Sequence, residues 1–248
     1  MTQAVSCPVL HHPSLPSTQD EARNAIAHHP LPFVVMADEQ VAGRGRAGRK
    51  WVSLPDNLQC TLVFESRLEM RHIGQYAFLV AVAMQATMDA FGVADISLKW
   101  PNDVLRAGKK IAGILIEVEQ GDSNEPRLLV GMGVNITHAP DGAAALNAQG
   151  QEHITPRAFL DRFLDIFFPL KEQMENNGFA DIRAKWLAHA HGLGGLMQAR
   201  LPTHCFEGVF EGLSDDGALY VRVAGETAPR VVYSGDVFIG GRADVAGD

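Results

Sequence analysis

Nine consecutive residues, Gly43-Arg44-Gly45-Arg46-Ala47-Gly48-Arg49-Lys50-Trp51, concentrate glycine, positive charge and one indole. The run has no apolar period and little to bury, so it must be a solvated loop. Glycine admits positive φ and lets backbone approach a ligand with no Cβ between them. Each guanidinium offers a planar fork that matches phosphate or carboxylate oxygens two at a time. The segment is therefore suited to closing over an anion, with Trp51 placed to cover an apolar or aromatic part of the same ligand. Binding to a nucleic-acid backbone is the competing chemistry. The formal net charge of −8, from 21 basic and 29 acidic residues, opposes a general polyanion coat. A cationic patch on an acidic chain fits a small phosphate-bearing ligand better.

Lys99 is the second candidate. It lies near the end of a strand-like run, Ile96 to Trp100, before the turn signal Pro101-Asn102-Asp103. An ammonium held there supplies a fixed charge to a carboxylate or phosphate, which counts for more in a partly dry cleft than in water. A solvated strand-end lysine is the plain alternative. A lysine that takes AMP covalently would need Lys-x-Asp-Gly, whereas the chain has Lys99-Trp100-Pro101-Asn102. Gly131-Met132-Gly133-Val134-Asn135 follows a strand pattern, but Asn135 and Thr137 stand where a dinucleotide fingerprint has its third glycine and helix. No Ser-His-Asp or Cys-His arrangement is recognisable. The adjacent pairs His11-His12 and His28-His29 cannot face one ion, and Cys7, Cys60 and Cys205 lack ligand spacing, so no metal site is expected. What remains is adenylation or phosphate transfer without a protein nucleophile, in which cations neutralise ATP and an acyl carboxylate attacks the α-phosphate.

The elements that must position these residues follow from the pattern. Ser17-Thr18-Gln19-Asp20-Glu21 precedes a helix running to about His28; Thr18 and Glu21 have capping-box spacing, and a helix start also presents free N–H groups. Strands are expected over Phe33 to Ala37, leading to Gln40, over Gln59 to Glu65 and over Leu128 to Val134. Val104 to Arg106 and Ile111 to Val118 form a hairpin turned at Ala107-Gly108-Lys109. Helical spacing of Ile73, Tyr76, Ala77, Val80, Met84 and Met88 predicts a core helix from His72 to Phe91. Residues 137–152 form a loop. Thr155-Pro156 starts a helix that places Phe159, Phe163, Ile166, Phe167 and Leu170 on one face, and a further helix from about Phe179 to Ala190 turns Ile182 and Trp186 inward. After Gly192, Gly194 and Gly195, five short strand patterns alternate with turns such as Asp215-Asp216-Gly217, predicting a small β-barrel. The fold class is α+β: a mixed, mainly antiparallel sheet with flanking helices over residues 1–191, then the barrel over 192–248.

No stretch reaches the roughly 18 apolar residues of a membrane span. The N-terminus lacks a basic segment followed by an apolar core, and three scattered cysteines suit free thiols of a cytoplasmic protein.

Five motifs in order resemble the biotin protein ligase family: Ser17-Thr18-Gln19; Gln40 with Gly43 to Trp51; Lys99-Trp100-Pro101-Asn102-Asp103; Lys110-Ile111-Ala112-Gly113-Ile114-Leu115-Ile116-Glu117; and Gly131 to Asn135. The resemblance covers about residues 14–240. It implies a class II synthetase-like catalytic domain with an SH3-like C-terminal barrel. It also implies a two-step reaction, in which biotin and MgATP give biotinyl-5′-AMP and a lysine of a biotin carboxyl carrier domain then takes the biotinyl group. By that similarity, Ser17, Thr18 and Gln40 meet the polar end of biotin. Arg44 and Arg46 hold carboxylate and phosphate and order the loop. Arg49 meets ATP phosphates, Trp51 stacks near adenine, Lys99 stabilises developing charge and Asn135 lies near the nucleotide. Gln19, Gly43, Gly45, Asn102 and Gly113 complete the binding set. Arg44 and Lys99 are the expected catalytic residues, with ATP, biotin and Mg2+ as ligands. Some relatives carry an N-terminal helix-turn-helix domain; with 16 residues before Ser17, no DNA-binding role is expected. Gln19 stands where asparagine is frequent. Relatives occur as monomers and dimers, so a homodimer stays open. Lipoate and octanoate ligases of the same superfamily lack the Gly-Arg-Gly-Arg-x-Gly-Arg loop, which weighs against them. A non-catalytic nucleic-acid binder would show salt-sensitive polymer binding with no need for ATP.

Overall fold

A computed structural model of the chain describes residues 5–120, 125–147, 154–201 and 203–239. The run Phe33-Val34-Val35-Met36-Ala37 is buried on both faces, which explains why it lacks polar alternation. It lies in strand β2 (Phe33–Gln40), whose Val34 and Met36 enter the main core while Phe33 and Val35 enter a smaller one under helix α1 (Thr18–Ala25). Strand β1 (Val9–Leu15) lies parallel to β2. Every other ladder is antiparallel: β3 (Leu58–Glu65), β4 (Ile96–Lys99), β5 (Asp103–Arg106), β6 (Lys109–Glu119) and β7 (Arg127–Val134) complete a seven-stranded sheet ordered β1-β2-β3-β7-β6-β5-β4. The mixed, mainly antiparallel sheet is the one expected.

Helix α2 (Gln75–Ala90) is buried on nearly every side because it lies between the sheet and two further helices, α3 (Pro156–Asn177) and α4 (Ala180–Ala188). A short 3-10 turn, Met70–His72, occupies the start expected for α2. Thr155 caps α3 by accepting a hydrogen bond from the Ala158 amide, with Pro156 in the first turn. Phe159, Phe163 and Phe167 fill the core along the predicted face, and Ile182 and Trp186 of α4 are buried.

Two local expectations change, and a third holds where it can be read. Strand β1 was not predicted, because Pro13 and the two adjacent histidines hide its pattern; at a sheet edge a proline removes no needed ladder donor. Helix α1 ends at Ala25 rather than near His28, ahead of Pro30 and Pro32. Of the loop expected over 137–152, residues 148–152 lie outside the described residues, while 137–147 contain no helix or strand. There Asn57 Oδ1 accepts the amides of Ile136, Thr137 and His138 at 2.9–3.1 Å, replacing the ladder that β7 gives up.

The C-terminal strands β8 (Leu196–Arg200), β9 (Cys205–Leu213), β10 (Leu219–Arg222), β11 (Arg230–Val232) and β12 (Asp236–Ile239) form a five-stranded antiparallel sheet ordered β11-β10-β9-β8-β12. It shares its apolar core with the larger sheet: Phe78 of α2 meets Phe179 and Trp186 at ring separations of 5.4 Å, and Trp186 meets Phe210 at 6.5 Å. Trp100 Nε1 donates to the Gly217 carbonyl at 3.2 Å, at the turn before β10. No helix among the described residues is long and apolar enough to cross a membrane.

Candidate active site

A cavity of about 230 Å³ opens where the start of α1, the end of β2, the basic loop, the β4–β5 turn, β6, β7 and the first residues of β12 converge. Ser17 stands at the helix N-cap in extended conformation and lines the cavity without a side-chain cap bond. The Thr18 side chain makes no capping box with Glu21. Its hydroxyl donates to Gln40 Oε1 at 3.0 Å, its amide donates to the same oxygen at 2.8 Å, and Thr61 Oγ1 donates to Thr18 Oγ1 at 2.9 Å. The end of β2 is thereby fixed to the beginning of α1.

Gln19 is buried and spans the sheet below. Its Nε2 donates to the carbonyls of Leu115 at 3.2 Å and Leu129 at 3.4 Å, which fixes the orientation of the amide. Its Oε1 is buried with no hydrogen-bond partner, and a buried acceptor left so costs roughly 1–3 kcal/mol unless a ligand or water supplies a donor. Gly131 makes room for this side chain, since a Cβ there would stand 3.1 Å from Gln19 Nε2.

The basic loop is a narrow return. Gly45 N donates to the Arg49 carbonyl at 2.7 Å and Trp51 N to the Gly43 carbonyl at 2.9 Å. Its tip passes through positive φ at Ala47 (54°) and Gly48 (74°), where glycine is unstrained. The three arginines meet different fates. Arg44 grips Asp20 with both terminal nitrogens, each at 2.7 Å; the hydrogen bond holds the Asp20 carboxyl below its ordinary range and raises the Arg44 guanidinium. Arg49 reaches Asp236 on β12 at 3.2 and 3.4 Å. Arg46, half-buried, donates to Asn102 Oδ1 at 3.0 Å and has no carboxylate within ion-pair distance among the described residues; burial lowers its pKa. Asp236 and Asp103 act on it only from beyond ion-pair distance, so this desolvated guanidinium favours an incoming anion.

Opposite the loop, Gly113 of β6 and Gly133 of β7 are ladder partners, and the Trp51 indole occupies the space their absent side chains leave. A Cβ at Gly113 would stand 3.1 Å from Trp51 Cζ3, and one at Gly133 would overlap the ring. Lys110 Nζ lies 2.7 Å from Asp103 Oδ1 and 5.6 Å from the indole centroid. Lys99 Nζ lies 5.7 Å from the Phe238 ring centroid, again without a carboxylate partner among the described residues.

The structure brings together Ser17, Thr18, Gln19, Gln40, Arg44, Gly45, Arg46, Arg49, Trp51, Lys99, Asn102 and Gly113 around this one cavity. Two predicted residues do not line it. Gly43 sits behind the loop, where a Cβ would stand 2.9 Å from the Trp51 carbonyl. Asn135 is buried and donates to the Ala144 carbonyl at 3.2 Å, holding the irregular segment after β7. Lys110, Asp103, Gly133, Asp236 and Phe238 line the cavity without having been proposed for it. Lys110, Asp103 and Gly133 belong to motifs already noted; Asp236 and Phe238 come from a distant strand whose pattern carries no chemical signal.

Residues 12–135 match the family model described as the Biotin/lipoate A/B protein ligase family, and residues 198–240 match the Biotin protein ligase C terminal domain. The chain is 38% identical to the biotin–acetyl-CoA-carboxylase ligase of Paracoccus denitrificans, over 84% of this chain and 90% of that protein. It is 30% identical to the bifunctional ligase/repressor BirA of Bacillus subtilis, over 96% of this chain and 76% of that protein. In fold it matches the biotin protein ligase from Aquifex aeolicus, solved in complex with biotin and ATP, with a TM-score of 0.81 at 23% identity over 94% of this chain and 98% of that one. With both its sheets and its sequence matched in this way, the chain belongs to the biotin protein ligase family.

Proposed function

We propose that this chain joins biotin to MgATP, giving biotinyl-5′-AMP and pyrophosphate, and then passes the biotinyl group to one lysine of a biotin carboxyl carrier domain, releasing AMP. The observation that carries the reading is a single cavity with a buried, unpartnered acceptor, Gln19 Oε1, and two cations without carboxylate partners, Arg46 and Lys99. Such a cavity asks for a ligand with both N–H donors and negative charge, and biotin offers a ureido group and a carboxylate.

On this reading Ser17, Thr18, Gln19 and Gln40 receive the ureido end. Arg46 and Lys99 hold the carboxylate against the α-phosphate and stabilise the charge that builds there as a carboxylate oxygen attacks phosphorus and pyrophosphate leaves. Lys110 adds a third positive charge, Arg49 meets the outgoing phosphates, and Trp51 covers the base. Asn102 orients Arg46, while Arg44 orders the loop. In the second step the acceptor amine attacks the acyl carbon and AMP departs with its electron pair.

Among the described residues no three His, Cys, Asp or Glu side chains converge as metal donors. The cavity's two carboxylates, Asp103 and Asp236, face Lys110 and Arg49. This donor set does not fit a resident magnesium site, whereas magnesium commonly enters with nucleotide phosphates and keeps several of its waters. The ion enters as part of the MgATP substrate.

The proposed division runs from a catalytic unit, residues 1–191, to a C-terminal unit, residues 192–248. The proposed setting is the cytoplasm and the proposed acceptor belongs to a biotin-dependent carboxylase. The test is pyrophosphate release with MgATP and biotin, lipoate, octanoate or no acid, followed by intact mass of an added carrier domain. Biotin-dependent release with one mass addition supports the reading; release with lipoate or octanoate alone transfers the same chemistry to another acid.

A further inference from the structure

The basic loop is tied at two places by carboxylates to which the proposed chemistry gives no part. On one side Asp20, in the first turn of α1, takes both terminal nitrogens of Arg44. Asp20 is in turn braced by Arg23, which donates to it at 3.3 Å and reaches Glu117 at 2.8 Å as well as Glu119 of β6. On the other side Asp236 of β12 takes Arg49 at 3.2 and 3.4 Å. Between these ties lies Arg46, which meets Asn102 and faces the cavity. Both pairs are substantially exposed, and exposed ion pairs contribute little to stability, so their placement answers a geometric need better than a folding one.

We propose that Asp20 and Asp236 are positioning residues that hold the basic loop down over the acyl-adenylate, so that the intermediate is passed to the acceptor lysine instead of escaping or meeting water. This deepens the ligase reading and rests on it. The loop bridges both sheets through the two pairs, which gives the C-terminal sheet a direct part in retaining the intermediate. Retention by ion pairs of this exposure must weaken as salt rises.

The experiment uses the full chain with Asp20→Asn, Asp236→Asn and the charge-conserving variant Asp20→Glu. Pyrophosphate, AMP and biotinylated carrier domain are measured in one reaction with biotin and MgATP. The expected result is a pyrophosphate burst within about three-fold of wild type in the two asparagine variants, with AMP released in several-fold excess over biotinylated carrier. In wild type that excess should grow between about 0.05 and 0.5 M salt, in Asp20→Asn it should be high and less sensitive to salt, and Asp20→Glu, which keeps the charge, should bring it back toward wild type. AMP and biotinylated carrier staying equal in both asparagine variants would overturn the proposal, as would a burst that falls in step with transfer and is not restored by Asp20→Glu. If wild type itself shows no biotin-dependent pyrophosphate, the ligase reading fails first, and that outcome is distinct from a failure of the two ties.

Discussion

The indole of Trp51 occupies the volume that a side chain at Gly133 would need. Gly113, the ladder partner of Gly133, opens the neighbouring space, so two glycines on adjacent strands make a berth for one ring. Gly133→Ala is expected to expel the indole and lower biotin-dependent pyrophosphate release by about ten-fold or more, the overpacking costing roughly 1–3 kcal/mol. In a Trp51→Ala background the same substitution should cost little further, because its obstacle is gone; a double-mutant cycle in release rates measures that coupling.

Arg46→Ala should separate activity from stability. The wild-type guanidinium is desolvated and lacks a carboxylate partner, so its removal should leave the thermal midpoint unchanged or raise it. Adenylation should fall by roughly 10²-fold or more, as when a preorganised charge donor is deleted from other sites. Lys99→Ala should behave alike. Both are checked by pyrophosphate release beside a thermal melt.

Gln40→Ala removes the oxygen that receives both the amide and the hydroxyl of Thr18. The expected outcome is a rise of about ten-fold in the KM for biotin, with a smaller change in kcat, since losing one hydrogen bond and leaving its partner bare costs roughly 1–3 kcal/mol. Steady-state kinetics at saturating MgATP read the split. An unchanged KM would detach this cluster from the biotin end of the cavity.

A pH effect on stability should come from Glu175 of α3, which pairs with Arg67 and Lys171. Burial pushes its carboxyl upward, but Lys171, Tyr76 and the Arg67 amide outweigh it and hold the pKa below its ordinary 4.5. A depressed carboxylate stabilises the fold above the unfolded-chain value, and that contribution is lost as pH falls through the lower folded value. Wild type should therefore lose thermal stability as pH drops below about 4.5, and Glu175→Gln should show a shallower loss over the same range, at a lower starting midpoint. Melting curves from neutral to acid pH measure both slopes.

Most of the fold was legible where one physical signal dominated. Thr155 followed by Pro156 announced α3, and the spacing of Val80, Met84 and Met88 announced α2. Strand β1 escaped because proline and paired histidines mask alternation at an edge that tolerates them. Within the site, the loop arginines were recognisable by type, but their partners were not: Asp20 carried only the signature of an acid in a first helical turn, and Asp236 sits 187 residues from Arg49. Lys110 stood at the head of a noted motif, but nothing in its type showed that β6 turns it into the cavity. Residue type declares available chemistry, whereas pairing depends on long-range register.

The contact of Phe78 with Trp186 and of Trp186 with Phe210, together with the bond from Trp100 to Gly217, has a consequence for inheritance. A gene cut between codons 191 and 192 would yield one fragment with an uncovered aromatic wall and another without the surface it was shaped against. Neither sheet can drift or be exchanged alone without opening that seam. A substitution in the smaller sheet that changes the volume at this seam is therefore expected to need a compensating one in α2 or α4.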